Sequence, residues 1–258
     1  MIALTAILYG AARLEVLLRS RALEGTAAGS CDELSPSSVP SIYLGDVRDR
    51  VLAEIDQNGH CFAVDPRDEE LFNTSAVKHP RRHHEILIIL KGGRIRVRKR
   101  LLPSRDRRFA ARLLQVLGVG FYLEAAAFLR LRGFAGAPAV RHIDTRRRII
   151  EMDYIWGHDL RQEILDATNV QSCAEVDLVF WNRIKMTEGA FGSAVRDLVE
   201  AVMKRGVLPA DIHAANFIRG KNTGRLYMVD YHLVYFKPLP SWRSRRQAVL
   251  RKLQTVRL

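Results

Sequence analysis

The chain has 258 residues, 48% of them hydrophobic and 27% charged, which is enough apolar material for one large or two small cores and excludes a compositionally disordered protein. Lys plus Arg outnumber Asp plus Glu by 41 to 28, a balance that favours polyanionic partners (nucleotide phosphates, nucleic acid or anionic lipid) without choosing among them. Cys31, Cys61 and Cys173 lack the CxxC spacing of a zinc ribbon or redox pair, so a reduced, cytoplasmic protein without a disulfide framework is expected.

In chain order, Met1 to Ala12 is apolar but shorter than the ~20 residues that span a bilayer, and it lacks the basic start of a secretory signal. It reads as a short N-terminal helix. Residues 20 to 41 are rich in Gly, Ser, Ala and Pro and read as a flexible linker, so residues 1–40 are expected to precede a compact domain that begins near Ser41. His79, His83 and His84, with Arg81 and Arg82, have no zinc-ligand spacing and read as a solvated basic loop.

Glu85 to Leu90 and Ile95 to Leu101 read as two strands around a Gly92-Gly93 turn. Alternation in the second strand sets Ile95, Val97 and Lys99 on one face and Arg94, Arg96, Arg98 and Arg100 on the other. Lys99 is thus the cation that shares the apolar face, with Lys91 as its competitor. From Arg94 to Arg112, Arg94, Arg96, Arg98, Lys99 and Arg100 with Arg105, Arg107, Arg108 and Arg112 crowd nine positive charges into nineteen residues, either a partner-binding field or a solvated face.

A helix is expected from Phe121 to Arg132, with Leu123, Ala127 and Leu131 as its apolar stripe and Gly133 as its stop. Two short strands follow Pro138, at Val140 to Ile143 and Ile149 to Met152. After Gly157 the pattern turns helical. Ser193 is the expected N-cap of a helix that carries Val195, Leu198, Val199, Val202 and Met203 on one face and ends at Gly206. The basic stretch Trp242 to Leu253, with Trp242, Val249, Leu250 and Leu253 as apolar anchors, either lies on an anionic membrane surface or docks as a helix.

The most informative run is VLPADIHAANFI at 207–218, followed by a turn at Lys221 to Gly224 and an expected strand from Arg225 to His232. Phosphoryl transfer needs a carboxylate to orient the attacking hydroxyl, and an amide oxygen and a second carboxylate to hold Mg²⁺ against nucleotide phosphates. Asp211, Asn216 and Asp230 supply these groups in that order, five and then fourteen residues apart. His213 has the near-neutral pKa of a general base, but in such a loop it is expected to hold backbone instead.

The spacing of Asp211, Asn216 and Asp230 resembles the catalytic loop and DFG aspartate of the protein-kinase-like superfamily. Its Asp-x-His-x-x-Asn form is similar to that of aminoglycoside and choline phosphotransferases and of small atypical and lipopolysaccharide kinases. The resemblance implies an α+β, two-lobed protein-kinase-like fold with a minimal C-lobe, residues 41–153 forming the N-lobe and 154–258 the C-lobe. It implies ATP and Mg²⁺ as cofactors, Lys99 on the α- and β-phosphates, Glu124 paired with Lys99, and backbone groups around Asp153 and Tyr154 receiving adenine. Asp211 then acts on the acceptor, and Asn216 and Asp230 hold the metal. Upstream of Lys99 the Gly-x-Gly-x-x-Gly loop is missing, the DFG position reads Asp230-Tyr-His, and about 26 residues follow it, too few for a long activation segment. By the same resemblance the expected acceptor is a sugar or lipopolysaccharide-type saccharide, in a cytoplasmic protein that can lie against the inner face of a membrane. A small atypical Ser/Thr kinase, a nucleotide-sensing pseudokinase and a nucleic-acid-binding protein using the arginine strand are the alternatives.

Overall fold

A computed structural model describes residues 2–20, 84–91, 94–101, 117–155, 157–168, 170, 172–185, 189–221, 223–237 and 241–254. Most of the linker, the basic loop at 79–83, the Gly92-Gly93 turn, Arg105 to Arg112, Trp156, Cys31 and Cys61 lie outside these residues, as do the side chains of His84, Lys91, Ile95 and Cys173.

The chain opens with helix α1 (Ile2–Arg19) and then builds a four-stranded antiparallel sheet from β1 (His84–Lys91), β2 (Arg94–Leu101), β3 (Val140–Asp144) and β4 (Ile149–Asp153), in the order β1-β2-β4-β3. Helix α2 (Val119–Arg130) sits between β2 and β3 in sequence. The second half contains β5 (Gly157–Asp159), α3 (Leu160–Ala167), α4 (Cys173–Lys185) and α5 (Ala190–Lys204). Then come β6 (Val207–Pro209), a 3₁₀ turn (Ala214–Asn216), β7 (Phe217–Gly220), β8 (Leu226–Met228), β9 (Val234–Phe236) and α6 (Trp242–Leu253). Strands β5, β7 and β8 form one small sheet, and β6 pairs with β9 in another.

The two expected strands around the glycine turn pair throughout their length, Ile86 opposite Lys99 and Ile88 opposite Val97. The arginine face of β2 is less solvated than its composition suggests. Glu151 of β4 lies directly opposite Arg98 and accepts bonds of 2.7 and 3.0 Å from its guanidinium, with Arg96 3.8 Å away. Opposite charges across neighbouring strands stabilise the pairing, so this part of the basic field is neutralised within the fold.

Helix α2 starts two residues earlier than its stripe suggests, and it is buried at Val119 and from Phe121 to Leu129. A helix apolar on every side must be covered on every side. Helix α1 supplies part of that cover, with Ala12 and Val16 fully buried, the Tyr9 ring edge-on to Tyr122 at 5.7 Å, and the Tyr9 hydroxyl donating to the Leu117 carbonyl at 3.0 Å. Arg130 completes the clamp by donating to Glu15 at 2.7 and 2.9 Å. The helix read as part of a leading segment is thus packed on the centre of the fold.

In α5 the five expected apolar residues are all buried. Its N-terminus, however, is Ala190 after Gly189, and Ser193 lies inside the first turn with its hydroxyl donating to the Ala190 carbonyl at 3.1 Å. The extra turn is held by packing: Phe191 meets Phe180 edge-on at 6.1 Å and carries the Arg183 guanidinium at 5.6 Å. Gly157 is fixed by close approach, because a Cβ there would lie 2.0 Å from the Arg219 carbonyl oxygen in the neighbouring strand. At the far end, α6 docks as a helix. Trp242 and Leu253 are buried and Val249 and Leu250 pack on the core, so the residues read as membrane anchors face the protein.

If α6 is part of the core, Leu253→Ala, at a site 2% exposed, should lower unfolding free energy by about 2–5 kcal/mol. Urea denaturation measures this, and a loss within error of zero would show a helix end that only rests on the surface.

Candidate active site

The site is assembled where the sheet, α2 and the loop around Asp211 converge. Alternation along β2 turns Lys99 away from the Arg98–Glu151 face and into the interior, where it is 7% exposed. Its Nζ donates to Glu124 Oε1 of α2 at 2.7 Å and to Asp230 Oδ1 at 3.1 Å. Three groups separated by up to 131 residues of sequence therefore meet around one ammonium. The Tyr231 backbone N–H lies 3.5 Å from the same Glu124 oxygen, which ties the Asp230 segment to α2 a second time. The Tyr231 ring is buried edge-on against Phe128 at 5.1 Å.

Asp230 is reached by a chain that leaves β8 early. The expected strand from Arg225 to His232 is regular only over Leu226–Met228, because the Val229 N–H turns to the Asn216 carbonyl at 3.0 Å and the Asp230 carboxylate turns to Lys99. Asp230 Oδ1 also accepts the His232 backbone N–H at 3.1 Å and faces His232 Nδ1 at 2.8 Å. Oδ1 is thereby saturated, and Oδ2 remains for a further positive partner.

The Asp211 loop runs between β6 and β7. Asn216 is buried at the end of the 3₁₀ turn, and its Nδ2 donates to the Asp211 backbone carbonyl at 3.0 Å. That bond fixes the amide with Oδ1 as its uncommitted acceptor. Asp211 Oδ2 lies 3.5 Å from His213 Nε2 and 3.8 Å from His232 Nε2. His213 thus holds the Asp211 side chain, whereas the sequence suggested backbone. His232 is the residue of this cluster that the sequence did not single out: its two ring nitrogens face Asp230 and Asp211. The signal was the Asp-Tyr-His order itself, with a side chain where the DFG motif has none.

Charge explains the proton positions. Burial works to lower the Lys99 pKa, but the carboxylates of Asp230 and Glu124 overcome it and hold the ammonium above its usual value. Burial works to raise Asp230 as well, and there Lys99 and His232 win and keep it well below the carboxylate range. Glu124 moves the other way: its burial and the charge of Asp230 outweigh the pull of Lys99 and push it up. Hydrogen bonding to His213 lowers Asp211, and hydrogen bonding to Asp211 and Asp230 raises His213 and His232 respectively.

The residues fit a nucleotide-bound Mg²⁺. Asn216 Oδ1 and Asp230 Oδ2 are hard oxygen donors, and Mg²⁺ typically takes one or two protein ligands and completes its shell with phosphates and water. Among the described residues there is no cluster of three His, Cys, Asp or Glu that holds a metal by itself. At the end of β4, the Asp153 N–H donates to the Ala139 carbonyl at 2.9 Å and its carboxylate accepts from Arg141 at 2.7 Å, so both groups are committed inside the fold. Tyr154 and Ile155 follow β4 outside any regular element, with Ile155 buried.

No family model matches the sequence, and no curated protein matches it. Among solved structures, the chain is similar to the kinase domain of Mycobacterium tuberculosis PknI, at 18% identity over 63% of this chain and 59% of that chain, with a TM-score of 0.38. A second structure of that domain gives 19% identity over 58% and 55%, with a TM-score of 0.35, and a double mutant of it gives 18%, 58% and 54%, with 0.38. The chain therefore spans little more than half the length of these domains. The described fold is a mix of helices and small antiparallel sheets, and what the site can do follows from its own distances and charges.

The Asp211–His213 pair gives a signed pH dependence. The raised pKa of His213 makes its contribution to stability complete below its unfolded value of about 6.5 and lost as pH rises through the folded value. The lowered pKa of Asp211 makes its share complete above about 3.9 and lost as pH falls through the folded value. Both groups are partly solvated, so His213→Gln should cost about 1 kcal/mol or less, with the largest loss between about pH 4 and 6.5. Urea denaturation of both proteins from pH 5 to 8.5, as an approximate range spanning the His transition, should show the two curves converging on the alkaline side.

Proposed function

We propose that this protein transfers the γ-phosphate of ATP, with Mg²⁺, to a hydroxyl group. The observation that carries the reading is the buried Lys99 ammonium shared by Glu124 and Asp230, beside a loop that presents Asp211 and Asn216. A lysine kept charged in a desolvated place by two carboxylates is poised to exchange part of that pairing for phosphate oxygens. Glu124 keeps the ammonium aimed, and Tyr231 and Phe128 keep α2 beside the Asp230 segment. Asn216 Oδ1 and Asp230 Oδ2 would hold Mg²⁺, which when bound neutralises charge on the phosphates. The adenine would sit against the chain leaving β4 near Tyr154, with Asp153 contributing through its place in the sheet.

Asp211 is the group that meets the acceptor. Its lowered pKa keeps it ionised at neutral pH, so it orients the hydroxyl through a charge-assisted hydrogen bond and accepts the proton as the O–P bond forms. His213 fixes the carboxylate, and His232 links it to Asp230.

The acceptor we favour is a saccharide hydroxyl. Between β9 and α6 only residues 237–241 intervene, which leaves little chain for a long activation segment after Asp230. The arginine strand offers less to nucleic acid than its composition suggests, since Arg98 and Arg96 share Glu151.

Calorimetric ATP titration with and without Mg²⁺, paired with phosphate-transfer assays on sugar, lipopolysaccharide-type and peptide acceptors, tests this reading. Asp230→Asn should remove the Mg²⁺-dependent part of ATP binding together with turnover. Asp211→Asn should leave Mg²⁺–ATP binding intact and lower kcat by about 10²-fold or more. A wild-type protein that binds no nucleotide overturns the enzyme reading, one that binds without turnover is a pseudokinase, and turnover confined to peptides makes it a protein kinase.

Lys99→Met should weaken ATP binding and leave a folded chain, since it removes a buried charge and retains much of the side-chain volume. Loss of Lys99 leaves Glu124 and Asp230 facing each other, so the variant should also bind protons more readily, measured as uptake on mild acidification relative to wild type.

A further inference from the structure

A cavity lined by none of the Lys99, Glu124, Asp211, Asn216 and Asp230 side chains stands apart from the phosphotransfer reading. A cavity of about 460 Å³ opens between the end of α5, the residue after β9 and the start of α6, a size within the range of small-molecule pockets. Met203 and Trp242 line it together with the cations Lys204, Lys237, Arg243 and Arg246. Among the described residues none of these four side chains forms an ion pair. Met203 and Trp242 are themselves buried, so much of the apolar wall is the aliphatic stems of the cations, whose charged heads surround the opening. Helix α6 adds Arg251 and Lys252 on its exposed side and has no acidic residue over Trp242–Leu253.

One guanidinium joins this region to α1. Arg130 donates to Glu15 of α1 at 2.7 Å and to the carbonyl of Lys237 at 3.0 Å. The buried side of α1 is taken by α2, yet Leu14, Leu17 and Leu18, at helical spacing, are 59%, 45% and 69% exposed. Exposed leucines at helical spacing, and cations that form no ion pair among the described residues, are the features that favour contact with an anionic bilayer.

We propose that the Met203–Trp242 cavity receives the phosphate-bearing headgroup of an anionic lipid, with the leucine stripe of α1 entering the same bilayer. The cations bind the phosphate and the apolar lining takes the adjoining glycerol and acyl carbons. Nucleic acid fits less well, because single-stranded bases need exposed aromatic faces and Trp242 is buried. Since Trp242 and Leu253 belong to the core, attachment comes from the exposed cations and from α1.

The test is co-sedimentation of the full chain with phosphatidylcholine vesicles with and without phosphatidylglycerol, alongside titrations with inorganic phosphate, glycerol phosphate and single-stranded RNA. Wild type should bind the anionic vesicles and not the neutral ones. Arg243→Gln with Arg246→Gln should weaken that binding about 25-fold at low salt, about fivefold for each cation lost. Leu14→Ser with Leu17→Ser should weaken it at high salt as well, where the electrostatic share is screened. Both double variants should keep the unfolding transition of wild type, and Asp230→Asn should bind vesicles as wild type does, which separates this proposal from the phosphotransfer reading. Unchanged vesicle binding in the arginine variant overturns the proposal. So does wild-type affinity for free phosphate equal to that for vesicles, or RNA binding that the arginine pair controls in place of lipid binding.

Discussion

An ammonium that is buried and still charged is the constraint on which the rest of this structure depends. Taking Lys99 out of water costs several kcal/mol unless carboxylates compensate at hydrogen-bond distance. The compensation comes from two directions, Glu124 on α2 and Asp230 beyond β8. Each requires its own element to be placed within a fraction of an ångström. The sheet must present Lys99 inward, α2 must lie under it, and the chain must abandon β8 at Val229 so that Asp230 turns back. Asn216 enforces that exit by accepting the Val229 N–H while its own amide braces the Asp211 backbone.

What the sequence reveals follows from the range of the interactions involved. The inward face of Lys99 is written in the two-residue period of RIRVRKRL, and the buried face of α5 in the spacing of Val195, Leu198, Val199, Val202 and Met203. Asp211, Asn216 and Asp230 are legible because a short loop and a hairpin fix their separations. Other features depend on partners distant in sequence. Glu151 gives no sign that it will neutralise Arg98, since that depends on which strand lies next to β2. The start of α5 moved from Ser193 to Ala190 because Phe191 has Phe180 to pack on, which outweighs a local capping preference. Strands β6 and β9 have three residues each, too few for any period to show. His232 passes for a variant letter in a motif until its ring is seen between two carboxylates.

The large positive charge resolves into distinct local environments. Arg98, Arg141 and Arg219 are tied to Glu151, Asp153 and Glu163. Arg205 and Arg245 lie over the rings of Phe134 and Tyr235 at 4.9 and 4.1 Å. Arg130 does both, pairing with Glu15 and lying 4.4 Å from the Phe236 ring. Such cations are structural, holding strands and helix ends together through their flat guanidinium groups. The cations left at the mouth of the cavity beside α6 differ in kind, because no carboxylate or ring in the described chain accounts for them.

The clamping of α2 between α1 and the sheet bears on how the molecule can be switched. Swinging a helix of this kind outward would separate Glu124 from Lys99 and leave the site unassembled. Here that motion would return Val16 to water, at about 1.5–3 kcal/mol for one valine, and break the Arg130–Glu15 pair and the Tyr9–Tyr122 contact with it. A swung-out population would therefore be small at equilibrium, and an effector would have to overcome the whole of that gap to enrich it. The architecture favours a Lys99–Glu124 pair that stays engaged at equilibrium, held by the same contacts that keep α2 under its cover.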